Sequence, residues 1–169
     1  MTFEQIIFLI VAGGTLGSAL MVVTTRNLVH AALWLVSTLF GVAVVFALLN
    51  AGFLAVVQVV VYIGAIAILF IFAVMLTRRD LRDDVPQMNR NWWLGALLAV
   101  FTFVGLAGML QTWSGFSKAA AGLPSGFDAV GQLGDALISP AAFVLPFEVA
   151  SVLLLAALVG SVYLAFNRK

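Results

Sequence analysis

The chain has 169 residues, of which 64% are hydrophobic and only 9% charged, and its formal net charge is +1. Soluble domains run near ~45–50% apolar and ~25% charged, so a water-soluble fold of this length could not hide so much apolar surface, whereas a lipid bilayer suits it. The absence of cysteine removes disulfides, thiolate metal sites and cysteine-ligated iron–sulfur clusters from this chain; a single histidine, His30, excludes a bis-histidine haem, and near-neutral charge motivates no nucleic-acid partner.

A bilayer core is crossed by ~20 apolar residues in helical form. Five stretches meet that length: Phe3–Val23, Leu28–Leu49, Phe53–Thr77, Trp92–Trp113 and Ala141–Phe166. The expected fold is all-α, a single transmembrane domain of five helices. The first stretch follows Met1-Thr2 with Glu4 and no basic residue, a poor signal peptide, and reads as a retained helix. Thr24-Thr25-Arg26-Asn27 separates it from the second, with Asn27 placed to cap the second helix. Asn50-Ala51-Gly52 is a tight-turn signal, so the second and third spans form an antiparallel hairpin.

The charge run from Arg78 to Asp84, followed by Pro86 and Arg90, reads as a solvated loop. The fourth span opens on Trp92-Trp93 and closes near Trp113, positions suited to interfacial aromatic anchors. Residues Ser114–Pro140 are loop-like in composition. Within them Phe127, Val130, Leu133 and Leu137 recur at helical spacing and predict a short interfacial helix.

Lysine and arginine set orientation. Arg26, Arg78, Arg79, Arg82, Arg90, Arg168 and Lys169 fall on one side and Lys118 alone on the other, so the basic side is cytoplasmic, the N-terminus outside and the C-terminus inside. The expected location is the cell inner (plasma) membrane, as a multi-pass protein.

Few polar side chains interrupt the spans. Glu148 lies about seven residues into the last one, ~10 Å along the helix. A carboxylate there is costly, and it is read either as a proton-accepting or water-organising site or as a protonated acid bonded to a backbone or subunit neighbour. Ser151 follows it on the same face of an α-helix. Gln58 and Tyr62, four apart, share an α-helical face that continues through Ala65, Leu69 and Phe72. The opposite face, Val56, Val60, Ile63, Ala67, Ile71 and Val74, suits lipid or an apolar partner. Gln58 and Tyr62 either line a hydrated path or make interhelical hydrogen bonds, worth only ~1 kcal/mol each.

Gly64 falls near the bilayer midplane. It is either a close-packing site or a point of helix irregularity, because Val59-Val60-Val61 and Ile63 crowd the turns around it. A π-bulge there would free a backbone carbonyl for water. Gly13-x-x-x-Gly17 and Ala156-x-x-x-Gly160 are small-residue patterns that suggest close helix packing. Arg26 and His30 read as an interfacial pair.

Two stretches, NAGFLAVVQVVVYIGAIAILFIFAVML (Asn50–Leu76) and LPFEVASVLLLAALVGSVYLA (Leu145–Ala165), with RNLVHAALWL at Arg26–Leu35, resemble the J subunit of respiratory complex I, the counterpart of mitochondrial NADH dehydrogenase subunit 6. The resemblance covers most of the chain; the loop Ser114–Ser139 and the charged loop after Leu76 match loosely. It implies a membrane-arm subunit of a proton-pumping NADH:quinone oxidoreductase. NAD, FMN, iron–sulfur clusters and quinone belong to the complex, with no cofactor in this chain. The implied partners are the quinone-site subunit and the antiporter-like subunits.

In that family the third helix is associated with a π-bulge and with gating of a water path. By motif this is Phe53–Leu76 here, with the bulge expected around Tyr62–Ala65. Gln58, where some relatives carry Glu, can carry a hydrogen-bonded wire but cannot bank a proton. Proton-path or gate candidates are therefore Gln58, Tyr62, Gly64 and Glu148, with no catalytic or metal residue. Competing readings are a subunit of a related membrane-bound hydrogenase or cation/proton antiporter complex, a stand-alone small transporter, and a structural spacer.

Overall fold

The computed structural model describes residues 2–77, 91–113, 115 and 126–166. Of the basic residues that set the expected orientation, only Arg26 lies within them; the charged loop 78–90, Lys118 and the C-terminal pair fall outside the described residues.

Among the described residues five helices are long and apolar enough to cross a membrane: Phe3–Thr24, Leu28–Leu48, Gly52–Leu76, Trp92–Thr112 and Val144–Phe166. We label them α1 (Phe3–Thr24), α2 (Leu28–Leu48), α3 (Gly52–Val57) continuing through a π-helical segment (Gln58–Ala67) into α4 (Ile68–Leu76), α5 (Trp92–Thr112) and α7 (Val144–Phe166), with the short helix α6 (Ala129–Ile138) before the last. Every span matches its apolar run within a few residues, because unsatisfied backbone in hydrocarbon leaves the helix as the natural state of such a run.

The ends are set by local chemistry. Asn27 Oδ1 accepts from the backbone N–H of Val29 at 2.9 Å and of His30 at 3.4 Å, satisfying two of the free donors that open α2. Asn50 takes a left-handed φ of 57° after α2, a conformation Asn adopts more readily than other side-chain-bearing residues. The Ala51 N–H then reaches Phe46 O at 2.9 Å and the Asn50 N–H reaches Ala47 O at 3.1 Å. These are the two bonds of a Schellman closure, and they turn the chain back as α3. Asp128 caps α6, its Oδ1 accepting from the Gly131 N–H at 2.9 Å.

The chain divides into two compact units, Met1–Phe116 and Ser117–Lys169. In the first, α2 is central: α1 packs on one flank, and α3, the π-helical segment and α4 on another. The α1 seam runs Ile7, Val11, Thr15, Ser18, Val22 and Thr25, steps of three and four that keep one stripe toward α2. Its centre is polar in composition but closed in its bonding. Thr15 Oγ1 donates to Val11 O at 2.7 Å and Ser18 Oγ to Thr15 O at 2.9 Å. Across the seam Thr38 Oγ1 donates to Ser18 Oγ at 3.0 Å, within equal reach of Trp34 O.

Gly41 lets α1 and α2 meet here, since a Cβ on it would overlap the Thr15 side chain. Gly13 and Gly17, the expected close-packing pair, have open space where their Cβ atoms would be and take no part in this seam. In the second unit α6 packs against α7, and no residue of α7 is buried.

Candidate functional site

The third span departs from a regular helix at its centre. Gly64 is the thirteenth of its 25 residues, and the π-helical segment runs from Gln58 to Ala67, wider than the Tyr62–Ala65 bulge expected from sequence. A π-turn closes i→i+5, so the Gly64 N–H falls to the Val59 carbonyl in place of Val60. A Cβ built on Gly64 would stand 3.4 Å from that same Val59 oxygen, an ordinary contact. Gly64 is therefore not sterically obligatory in this register.

The wider turn re-aims everything downstream. Residues covered along this span and at its N-cap are Ala51, Ala55, Gln58 with Val57 beside it, then Ile63, Ala67, Ile71 and Val74. The steps along that face are four, three, five, four, four and three. The five-residue step from Gln58 to Ile63 is the π-turn, and the extra residue rotates the lower half of the span by about 100° relative to the upper half.

Sequence periodicity put Gln58, Tyr62, Ala65, Leu69 and Phe72 on one stripe; the structure splits that stripe. Gln58 is 7% exposed, whereas Tyr62 is 45% and Leu69 70% exposed. Ile63, Ala67, Ile71 and Val74, expected to turn to lipid or an apolar partner, are the covered residues instead, with Ala67 at 1% exposure. The expectation failed because it carried the 3.6-residue period through a segment that does not keep it.

Gln58 is thus an amide enclosed at the end of α3, and among the described residues its side chain makes no hydrogen bond; nor does the Tyr62 hydroxyl. None of its atoms is both fully sealed and unpaired, so the amide retains a small opening. An interhelical bond, one of the two roles open to Gln58 from sequence, is not made among the described residues. A buried primary amide without a partner costs free energy unless water or another chain supplies one.

Glu148 is placed differently. α7 begins at Val144, so Glu148 is its fifth residue, ~6 Å from the start at 1.5 Å per residue. That is shallower than the sequence suggested. It is exposed, and Ser151, the nearest hydroxyl in sequence, donates to the Glu148 backbone carbonyl at 2.7 Å, with its one proton not offered to the carboxylate. Gln58, Tyr62 and Gly64 lie on one helix of the first unit; Glu148 belongs to the second. Among the described residues no three of His, Cys, Asp and Glu come together as a metal-binding group. Sequence reasoning missed the roles of Ile63 and Ala67, and their small-and-branched character carries no local signal of a register change.

Comparison with known proteins places the chain in a family. The family model described as NADH-ubiquinone/plastoquinone oxidoreductase chain 6 matches residues 18–164. The chain is 40% identical to the F(420)H(2) dehydrogenase subunit J of Methanosarcina mazei, over 96% of this chain and 90% of the relative. It is 34% identical to the NADH-quinone oxidoreductase subunit J of Rhodobacter capsulatus, over 90% of this chain and 76% of the relative. It is also 34% identical to the NAD(P)H-quinone oxidoreductase chain 6 of a Synechocystis species, over 96% and 80%. With five apolar spans and a match across nearly its whole length, the chain belongs to the NADH-ubiquinone/plastoquinone oxidoreductase chain 6 family, a membrane subunit of the NADH-quinone oxidoreductase complex.

Proposed function

We propose that the third span works as a gate in this subunit, coupling quinone reduction to proton translocation through a water path that opens and closes with the helix register. The observation that carries the reading is the five-residue step at Gln58–Ile63, with a buried amide at its head that has no hydrogen-bond partner among the described residues. A π-turn inside an otherwise α-helical span has a regular α-helix as its natural alternative, and π-bulges occur frequently at functional sites. Passing between the two trades the covered set Ile63, Ala67, Ile71 and Val74 for the residues one position earlier, Tyr62, Ile66, Phe70 and Ala73. One set is purely apolar and the other carries a hydroxyl, so the exchange alternately dries and wets the surface beside Gln58. Gln58 bonds water in that path without holding a proton, since an amide does not titrate.

The relatives named above are called subunits of NADH, NAD(P)H and F(420)H(2) oxidising enzymes. A membrane subunit this similar across different donors acts after the donor has been oxidised. In this reading its neighbours are the quinone-site and antiporter-like subunits, and its five spans form one domain of the plasma membrane, N-terminus outside and C-terminus in the cytoplasm. Glu148, in the second turn of α7, faces those neighbours and either exchanges protons with them or holds them by a hydrogen bond.

The test is Gly64→Val in the assembled complex. A single Cβ is tolerated here, but a branched side chain at the pivot adds bulk that the two registers cannot accommodate equally. Subunit retention with quinone reductase turnover and proton pumping lowered several-fold is expected. Wild-type turnover and coupling would overturn the gate.

A further inference from the structure

The short helix α6 sorts its side chains into two stripes. At about 100° per residue, Asp128, Gln132 and Asp135 fall within about 60° of one another, and Val130, Leu133 and Leu137 within a similar arc on roughly the opposite side. Packing on α7 uses little of the apolar stripe. Half-burial is confined to Ala136, Leu137 and Ser139, while Val130 and Leu133 are 51% and 44% exposed and Phe127, just before the Asp128 cap, is 40% exposed. A helix of 10 residues is marginal in water on its own hydrogen bonds, so the uncovered stripe needs an apolar medium, whereas the two carboxylates need water. The place of α6 in the chain decides where both media are found. Only residues 139–143 separate it from α7, a span of 23 residues apolar enough to cross the bilayer. The link is tight: the Phe143 N–H donates to Ala136 O and the Ala142 N–H to Ser139 O, each at 3.1 Å, and α6 packs against α7. α6 is thereby held at the level where α7 begins, the boundary between headgroups and hydrocarbon.

We propose that α6 is a lipid-binding element of this subunit: it lies in the plane of the leaflet where α7 begins, with Phe127, Val130 and Leu133 among acyl chains and Asp128, Gln132 and Asp135 in water. The inference is independent of the gate. The bilayer boundary supplies both media at the level where the link to α7 holds the helix, and no further protein contact is needed. The charge pattern narrows the kind of lipid. Surface-lying helices commonly carry Lys and Arg on the polar face and are drawn to anionic headgroups. Between Gly126 and Phe143 there is no basic residue, and the two charged ones are Asp128 and Asp135. α6 therefore seats by buried apolar area alone and does not require anionic lipid. Seated in this way it fixes the depth at which α7 enters the leaflet, and with it the depth of Glu148, the fifth residue of α7.

The experiment places photoreactive benzoylphenylalanine singly at Val130, Leu133, Gln132 or Asp135 in the intact complex. The complex is held in nanodiscs of phosphatidylcholine, or of phosphatidylcholine mixed with phosphatidylglycerol, then irradiated, and adducts on this subunit are identified by mass. Phospholipid adducts are expected at Val130 and Leu133 in both compositions, and none at Gln132 and Asp135. Because the chain has no cysteine, Val130→Cys, Leu133→Cys, Gln132→Cys and Asp135→Cys give a second measurement that survives if the bulky residue blocks assembly. A membrane-impermeant maleimide should label this subunit at Gln132→Cys and Asp135→Cys only, and a lipid-soluble maleimide should also label it at Val130→Cys and Leu133→Cys. Cross-links from Val130 and Leu133 to another subunit, with neither maleimide reacting there, would overturn the proposal in favour of a protein partner. Equal labelling of all four positions by the impermeant reagent would place α6 in water and overturn it as well. Lipid adducts that appear only with phosphatidylglycerol present would refute seating by apolar area alone.

Discussion

Placing one methyl group on Gly41 tests the packing on which the third span rests. A Cβ there overlaps Thr15 Oγ1 and comes within 3.0 Å of Thr15 Cβ and 3.1 Å of Cγ2. Rotating Thr15 moves the oxygen away but brings a second branch toward the same space, and it breaks the 2.7 Å bond to Val11 O. Overpacking of this kind costs ~1–3 kcal/mol, and the lost hydrogen bond adds ~0.5–1 kcal/mol. Gly41→Ala should therefore destabilise the α1–α2 pair by about 2 kcal/mol, or roughly 30-fold in its equilibrium constant. The neighbouring Ser18–Thr38 bond, 3.0 Å across the seam, would lengthen with it.

The assay is reversible unfolding of the purified full chain in mixed micelles, read beside the temperature at which the subunit leaves the intact complex. Thr15→Ala in the Gly41→Ala background removes both clashing branches but leaves the Cβ–Cβ approach, so it should recover about half of the loss. Gly41→Ala within error of wild type, or a Thr15→Ala change that rescues nothing, would refute this account of the seam.

Glu148→Gln in the intact complex should keep the subunit in place and lower proton pumping if the carboxyl exchanges protons; normal coupling would leave Glu148 a purely packing role. A compartment-specific reporter fused after Lys169 should be active only in the cytoplasm, because seven of the eight basic residues fall on that side of the expected topology; activity outside would reverse the orientation. Since α7 has no buried residue, gentle-detergent purification should bring the chain out with other membrane subunits of a quinone reductase, and a fully active monomer would contradict that expectation.

The spans were legible because a run of ~20 apolar residues has one stable form in lipid. Asn27 and Asn50 were legible as well, since a cap and a left-handed turn favour those side chains locally. The faces were less so. On α1 the small-residue pair Gly13 and Gly17 drew attention, yet the seam is built from Thr15 and Ser18, whose hydroxyls bond their own helix's carbonyls and so pack as near-apolar groups. On the third span the sequence marked an irregularity at Gly64, from its missing Cβ amid branched neighbours. The direction of the downstream face depends on where one extra residue is inserted, and that choice is made by packing against α2. Moving the insertion by a turn would have kept Tyr62 beneath Gln58.

The most direct test is the backbone hydrogen bonding at Gly64 in the intact complex at rest and during turnover. The account predicts two populations, one with the Gly64 N–H on the Val59 carbonyl and Ile63 beneath Gln58, the other with that N–H on Val60 and Tyr62 beneath Gln58. The same single register in every state would contradict it.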